Sequence, residues 1–147
     1  MPKRQKFFVI IMGCGRLGSY LANRMSRDGH SVVVIDTQET AFRALSSEFS
    51  GFFVEGDATE FAVLKQAKTD KADLVITTTS QDNINLMAAQ VAKKLFKVPR
   101  VIARVYDPQR EEIYRSRGLE TICPTSITGD VFLEYLMMSM ATTEEEE

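Results

Sequence analysis

Three glycines, an arginine and an aspartate near the start of the chain have the types and spacing needed to hold a phosphorylated nucleoside. The stretch Gly13-Cys14-Gly15-Arg16-Leu17-Gly18 follows the apolar run Phe7 to Met12. A glycine at the first position permits a tight turn, one at the second lets the backbone approach a phosphate, and one at the third lets a helix pack closely on its strand. The helix that starts there turns free N–H groups and roughly half a positive charge toward the ligand. Asp36 closes the next apolar run, Val32 to Ile35, eighteen residues after Gly18. A carboxylate at that place can accept both hydroxyls of a ribose. The alternative is a tight strand-to-helix turn with a surface aspartate.

These residues need elements to carry them. Arg16 to about Asp28 predicts a helix, with Leu17, Tyr20, Leu21 and Met25 at helical spacing and Gly29 as its stop. His30 follows in a turn without a thiol or acidic cluster beside it, which favours a structural role. From Glu39 the pattern is helical again through Phe42, Leu45 and Phe49; Gly51 breaks it before the strand Phe52 to Val54. In the turn Glu55 to Thr59, Asp57 can cap the helix of Phe61, Leu64 and Ala67, or sit beside a nucleoside, or both.

Ala72 to Thr77 reads as a buried fourth strand, and the polar tract after it, Thr78 to Asn83, can bond a nucleotide or cap a helix over Asp82 to Leu95. Val101 to Val105 is the fifth strand, with Arg104 at its exit marking a cleft, an interface or a salt bridge. Asp107-Pro108 opens a short helix to about Arg117, and Glu120 to Cys123 forms a sixth strand. Strands alternating with helices predict a Rossmann-like, doubly wound and mainly parallel six-stranded sheet with helices on both faces. Residues 1–140 form one domain; Met1 to Lys6 reads as a solvated basic leader and 141–147 as a solvated acidic tail. The last helix, about Ser126 to Met140, carries apolar residues around nearly its whole circumference, so part of it should meet another chain.

Composition removes several classes. A chain of 147 residues suits one domain, and a net charge of -2 gives no electrostatic footprint for nucleic acid. Two cysteines without a CxxC pair or a leader fit a reduced, cytoplasmic compartment. No apolar run approaches the ~20 residues needed to cross a bilayer.

With these features the sequence resembles the nucleotide-binding TrkA-N (KTN) lobe of the RCK regulators of potassium channels and Trk/Ktr potassium transporters. The resemblance rests on the glycine motif with its Arg16, Gly29-His30-Ser31-Val32, Asp36, Glu55-Gly56-Asp57-Ala58-Thr59, the Asp82 to Leu86 tract with Asn85, and Ala103-Arg104-Val105. It implies regulation rather than catalysis, by a cytoplasmic subunit held at the inner membrane through a potassium transporter or channel. It also implies a homo-oligomer, dimer or ring, built through the last helix, and a bound adenine nucleotide, ATP, ADP, AMP or NAD(H). Carried over, Arg16 meets phosphates, Asp36 the ribose, Asp57 with Ala58 the adenosine, and Thr79 the edge of the ligand. The nucleotide-binding set is Gly13, Cys14, Gly15, Arg16, Leu17, Gly18, Asp36, Thr37, Asp57, Ala58 and Thr79, with no catalytic residue and no metal ligand. Asp36 argues against NADP, whose 2′-phosphate would face a carboxylate. Family regulators usually continue into a second, ligand-sensing lobe, and this sequence stops in glutamates.

Two enzyme classes compete. A small NAD-dependent oxidoreductase needs a proton donor, and the frequent Tyr-x-x-x-Lys pair is missing: four residues after Tyr20, Tyr106, Tyr114 and Tyr135 come Arg24, Arg110, Gly118 and Ser139. An S-adenosylmethionine-dependent methyltransferase usually adds an antiparallel last strand, whereas here a helix ends the pattern.

Overall fold

The computed structural model describes residues 5–146, so residues 1–4 of the expected basic leader, and Glu147, lie outside it. Its strands are β1 (Phe8–Met12), β2 (Ser31–Asp36), β3 (Phe52–Glu55), β4 (Leu74–Thr77), β5 (Arg100–Arg104) and β6 (Glu120–Ile122). Its helices are α1 (Arg16–Arg27), α2 (Phe61–Gln66), α3 (Asp82–Lys94), α4 (Pro108–Ser116) and α5 (Pro124–Glu146). The strands form one sheet in the order β3-β2-β1-β4-β5-β6, and every pairing is parallel. This is the Rossmann-like arrangement that the alternation of elements predicts. The parallel β6 also lacks the antiparallel direction that the methyltransferase reading needs.

Register decides what meets at the sheet's edge. Met12 pairs with Ile35 on one side and Thr77 on the other, so β1, β2 and β4 end level and deliver Gly13, Asp36 and Thr78 to one rim. Successive strand residues face opposite ways, and both faces are apolar. Ile10, Met12, Val33, Ile35 and Val75 pack under α3 with Ala88, Ala89 and Ala92. Val9, Ile11, Val32 and Val34 pack with Ala22 of α1 and with Phe42.

Several local expectations change. The helical pattern from Glu39 to Phe49 yields only a 3-10 helix, Glu39–Ala44. Phe42 of this piece stacks on Phe53 at 4.6 Å, and Gly51 passes so close to β2 that a Cβ there would lie 2.1 Å from the Val32 carbonyl oxygen. The chain must tighten here to reach the sheet edge, which leaves no room for three regular turns. As the edge strand, β3 exposes Phe52 and Phe53 rather than burying them. α1 turns Gly18, Ser19, Ala22 and Ser26 to the sheet and leaves Tyr20 exposed, because small residues allow the closer approach.

α5 differs most. It runs to Glu146, through the stretch expected to be a tail, since neither glycine nor proline interrupts it after Gly129 and glutamate propagates a helix well. None of its large apolar side chains is buried: Phe132, Leu133, Tyr135, Met137, Met138 and Met140 are each at least 60% exposed. Among the described residues no helix is long and apolar enough to cross a membrane.

The tightest packing in the sheet layer is at Gly18, where an added Cβ would lie 1.8 Å from the Gly13 carbonyl oxygen and 2.8 Å from Thr78 Oγ1. Backbone cannot yield as a side chain can. Gly18→Ala is expected to destabilise the fold by about 3 kcal/mol, at the upper end of overpacking costs, whereas Gly15→Ala, with nothing within 4 Å, leaves stability nearly unchanged. Urea unfolding of both variants checks this; equal midpoints would refute it.

Candidate functional site

Above the carboxyl ends of β1 and β4, where the strand order reverses, lies an open cavity of about 590 Å³. Such a crevice is the place where doubly wound sheets take ligands. Gly13, with φ +107°, turns the chain from β1 toward α1 in a conformation that side-chain-bearing residues rarely adopt. A Cβ on Gly13 would also lie 2.8 Å from the Thr79 nitrogen. Gly15 sits at the N-cap of α1 without a side-chain cap bond, so the first-turn N–H groups face the cavity free of an intrahelical partner. Arg16 is exposed on the same wall and forms no ion pair among the described residues.

Asp36 stands at the tip of β2, beside the glycine turn. Its Oδ2 accepts from the Cys14 backbone N–H at 2.8 Å and its Oδ1 from the Gln38 N–H at 2.8 Å. Each oxygen therefore keeps a lone pair for a further donor, and the carboxylate is fixed in direction before any ligand arrives. Thr37, Asp57 and Ala58 line the cavity beside it. Asp57 accepts from the Thr59 N–H at 2.8 Å and the Thr59 hydroxyl at 2.7 Å. These bonds hold its carboxyl below the usual aspartate range, the hydroxyl contributing most and burial opposing. Asp57 does not cap α2, contrary to one expectation: Glu60 occupies the N-cap position, and the Asp57 side chain is spent on its own turn.

Most of the predicted set meets here: Gly13, Gly15, Arg16, Leu17, Asp36, Thr37, Asp57, Ala58 and Thr79 all line the cavity. Cys14 and Gly18 do not. The Cys14 thiol points into the apolar cluster under α1, and burial, reinforced by the Asp36 charge, pushes its pKa up to about 11. Its contribution to the rim is its backbone N–H. Gly18 lies behind the turn, where its role is close packing.

The second wall was only partly visible from sequence. Arg104 reaches over the rim from the end of β5, and its Nη2 donates to the carbonyls of Thr78 and Thr79, both at 2.8 Å, and to the Tyr106 hydroxyl. Its guanidinium carbon stands 4.3 Å from the Tyr106 ring centroid. Of the three partners foreseen for that charge, the structure selects the cleft: among the described residues no carboxylate pairs with Arg104, and its buried Nε has no partner. Burial holds its pKa below the ordinary arginine value, Tyr106 and Asp82 acting in the other direction.

Asn85, fully buried on α3, supports this wall from behind. Its Oδ1 accepts from the Thr79 N–H at 2.8 Å and the Thr79 hydroxyl at 2.7 Å, while its Nδ2 donates to the carbonyls of Thr79 and Arg104. Asp82 likewise accepts from the Tyr106 and Asp107 N–H groups at 2.7 and 3.2 Å. His30 is structural, accepting from the Phe7 N–H through Nδ1 far from the rim.

Removing the Asn85 amide strands several buried partners at once. Asn85→Ala is expected to cost about 3 kcal/mol in a denaturant titration; a loss below about 1 kcal/mol would show that the two loops hold their places without it.

The TrkA-N domain model matches residues 9–124. The Trk system potassium uptake protein TrkA of Streptomyces coelicolor is 41% identical over 133 residues, which cover 90% of this chain and 60% of that protein. A TrkA homolog of Methanothermobacter thermautotrophicus is 32% identical over 130 residues, covering 88% of this chain and again 60% of the relative. This chain thus spans about 60% of the length of these relatives. Among solved structures, the TrkA-N domain of the Escherichia coli inner membrane protein ybaL superposes with a TM-score of 0.78 at 22% identity, covering 90% of this chain and 98% of the other. That likeness bears on the fold alone. GsuK bound to ADP superposes with a TM-score of 0.76 at 25% identity, over 90% of this chain and 34% of the other.

Proposed function

The chain belongs to the TrkA-N domain family, and from that membership we propose that it is a nucleotide-binding regulatory subunit of a potassium uptake system rather than an enzyme. The ligand is an adenine nucleotide, ATP, ADP, AMP or NAD(H), taken in the cavity at the switch point. The observation that carries this reading is the polarity of that cavity. On the α1 side are the first-turn N–H groups and the guanidinium of Arg16, which forms no ion pair among the described residues; on the β2–β3 side are Asp36 and Asp57, suited to hydroxyl and amine donors. Phosphates fit the first side and a nucleoside the second.

The names of the relatives support the potassium uptake system, and the solved neighbours include an AMP-bound Kef C-terminal domain, an ADP-bound GsuK and an NAD-bound GsuK. In this reading the protein sits in the cytoplasm, held at the inner membrane by a potassium transporter or channel subunit. The bare apolar surface of α5 supports homo-oligomer formation, since a helix with no buried large apolar side chain of its own needs a covering surface. The oxidoreductase alternative is weaker, because the cavity's tyrosine, Tyr106, is bonded to Arg104 and has no lysine beside it.

Two measurements test the proposal. Calorimetric titration of nucleotide-stripped protein is expected to give tight binding without turnover, and Arg16→Ala is expected to weaken ATP and ADP by about tenfold or more while AMP loses less, since a guanidinium bonds phosphate oxygens directly. Equal losses for all three would remove Arg16 from the phosphates, and steady NADH oxidation would favour the oxidoreductase. Light scattering is expected to find the native chain as a dimer or larger and the Phe132→Glu/Leu136→Glu double variant as a folded monomer. A monomeric native chain would overturn the assembly role of α5.

A further inference from the structure

The net charge of -2 conceals an uneven distribution. All six strands run the same way, so every turn that enters a strand lies at one edge of the sheet and every turn that leaves one lies at the other. The ends of β2, β3 and β4 and the turns after them carry Asp36, Glu39, Glu55, Asp57, Glu60 and Asp82. The entering edge has the opposite sign. Lys6 precedes β1, Arg27 precedes β2, and Lys65, Lys68 and Lys71 precede β4. Lys94 and Lys97 precede β5, and Arg117 precedes β6. These cations are exposed, and none of them forms an ion pair among the described residues. The acids of the same edge are largely spent. Asp28 pairs with Arg24, Glu120 pairs with Arg100, and Asp73 accepts from the Phe8 N–H at 2.8 Å, which leaves Glu48 and Asp70.

Helix dipoles account for part of this, since cations suit the last turn of a helix, where Lys65 and Lys94 stand. They do not account for Lys6, Lys68, Lys71 or Lys97, which lie outside the α-helices. The turns also meet one another. Lys6 reaches the turn before β2, its Cε 3.7 Å from where a Cβ on Gly29 would stand. Lys68 lines a cavity of about 600 Å³ with Phe8, His30 and Phe52, and Lys93 Nζ donates to the Gly118 carbonyl before β6. Apolar side chains are set among the charges: Phe52 is 75% exposed, and Leu95, between Lys94 and Lys97, is 64% exposed. The kind of cation matters as well. Arg24, Arg100 and Arg115 are spent on carboxylates of this chain, so most of the free charge is lysine, a point charge without the planar fork that reads single phosphates. A charged lipid surface asks for no such fork. It needs many cations at once, with apolar side chains to enter the headgroup layer.

We propose that the edge where the strands begin is a docking surface for an anionic lipid bilayer, with its lysines over the headgroups and Leu95 and Phe52 in the interfacial layer. The cavity at the opposite edge then faces away from the membrane and stays open to solvent. This contact is made by the chain itself, apart from any hold through a transporter subunit, and it does not depend on what the cavity binds.

The test is co-sedimentation of the full chain with protein-free vesicles, either of phosphatidylcholine alone or with about one third phosphatidylglycerol. The native chain is expected to bind the anionic vesicles about tenfold or more tightly than the neutral ones, and to lose that advantage between about 50 and 500 mM salt. Lys65→Glu/Lys71→Glu/Lys94→Glu should lower binding to the anionic vesicles about tenfold or more, whereas Arg43→Glu, an exposed cation away from this edge, should stay close to native. All these positions are exposed, so circular dichroism should report an unchanged fold; if the triple reversal does not fold, Lys65→Gln/Lys71→Gln/Lys94→Gln takes its place. Equal binding to both vesicles, or equal losses in the triple variant and Arg43→Glu, would overturn the inference. So would retention on a polyglutamate column without binding to anionic vesicles, which would assign the edge to an acidic protein instead.

Discussion

The structure depends on one close approach of backbone to backbone at the end of β1. Gly13 N–H donates to the Ile35 carbonyl at 2.7 Å, the Thr78 N–H donates to the Met12 carbonyl at 2.7 Å, and the Thr78 hydroxyl donates to the Gly13 carbonyl at 3.0 Å. Three strand ends are thereby tied to a single residue whose φ of +107° excludes ordinary side chains. On its other side the same peptide carries α1 so closely that only a glycine at position 18 fits against it. From this knot the first turn of α1 gains its direction, and Asp36 gains its place by accepting from Cys14 one residue later. The cavity is therefore a by-product of how the sheet is closed at its centre, and its rim is rigid because its parts are backbone.

The second wall is built by another means. Beyond Thr78 and Val105, whose N–H groups still bond the neighbouring strands' carbonyls, the loops after β4 and β5 are held largely by side chains. Asn85 uses its whole amide on two loops, Asp82 both of its oxygens on two N–H groups, and Arg104 its Nη2 on the loop between them. Buried polar groups that satisfy one another in this way specify a single arrangement more sharply than apolar packing does. The first half of the crevice is thus set by glycine geometry and the second by a polar network.

That division also explains what could be read from the sequence. The glycine half was legible because its constraints are local: Gly13, Gly15, Gly18 and Asp36 lie within one strand-helix-strand unit, where spacing alone fixes geometry. Asn85 was legible only as part of a family pattern, since an asparagine inside a helix reads as a weak helix former and its partners Thr79 and Arg104 arrive through the topology. Arg104 stood out as a charge at a strand exit, but its choice of carbonyls over a carboxylate is a tertiary fact. Periodicity misled in the segment after β2, where Phe42, Leu45 and Phe49 have helical spacing yet the chain must tighten so that Phe42 can stack on Phe53. Cys14 was placed among the binding residues because it lies inside the motif, whereas the alternation of the turn sends its thiol into the core.

α5 stands apart from this logic. A helix gains little in water from its own hydrogen bonds, and most helical stability in proteins comes from burying an apolar face. α5 buries no large apolar side chain among the described residues, and the covering surface proposed above would supply the burial that it lacks. Its start is nonetheless tied to the second wall of the cavity. Val105 donates to the Ile122 carbonyl, the Cys123 thiol lies 3.9 Å from the Tyr106 carbonyl, and Ile127 donates back to the Cys123 carbonyl in the first turn of the helix. The polar wall that borders the cavity and the apolar helix that lacks a cover are thus consecutive parts of one hydrogen-bonded path. A path is not in itself a coupling, which requires two arrangements that ligand and partner weight differently.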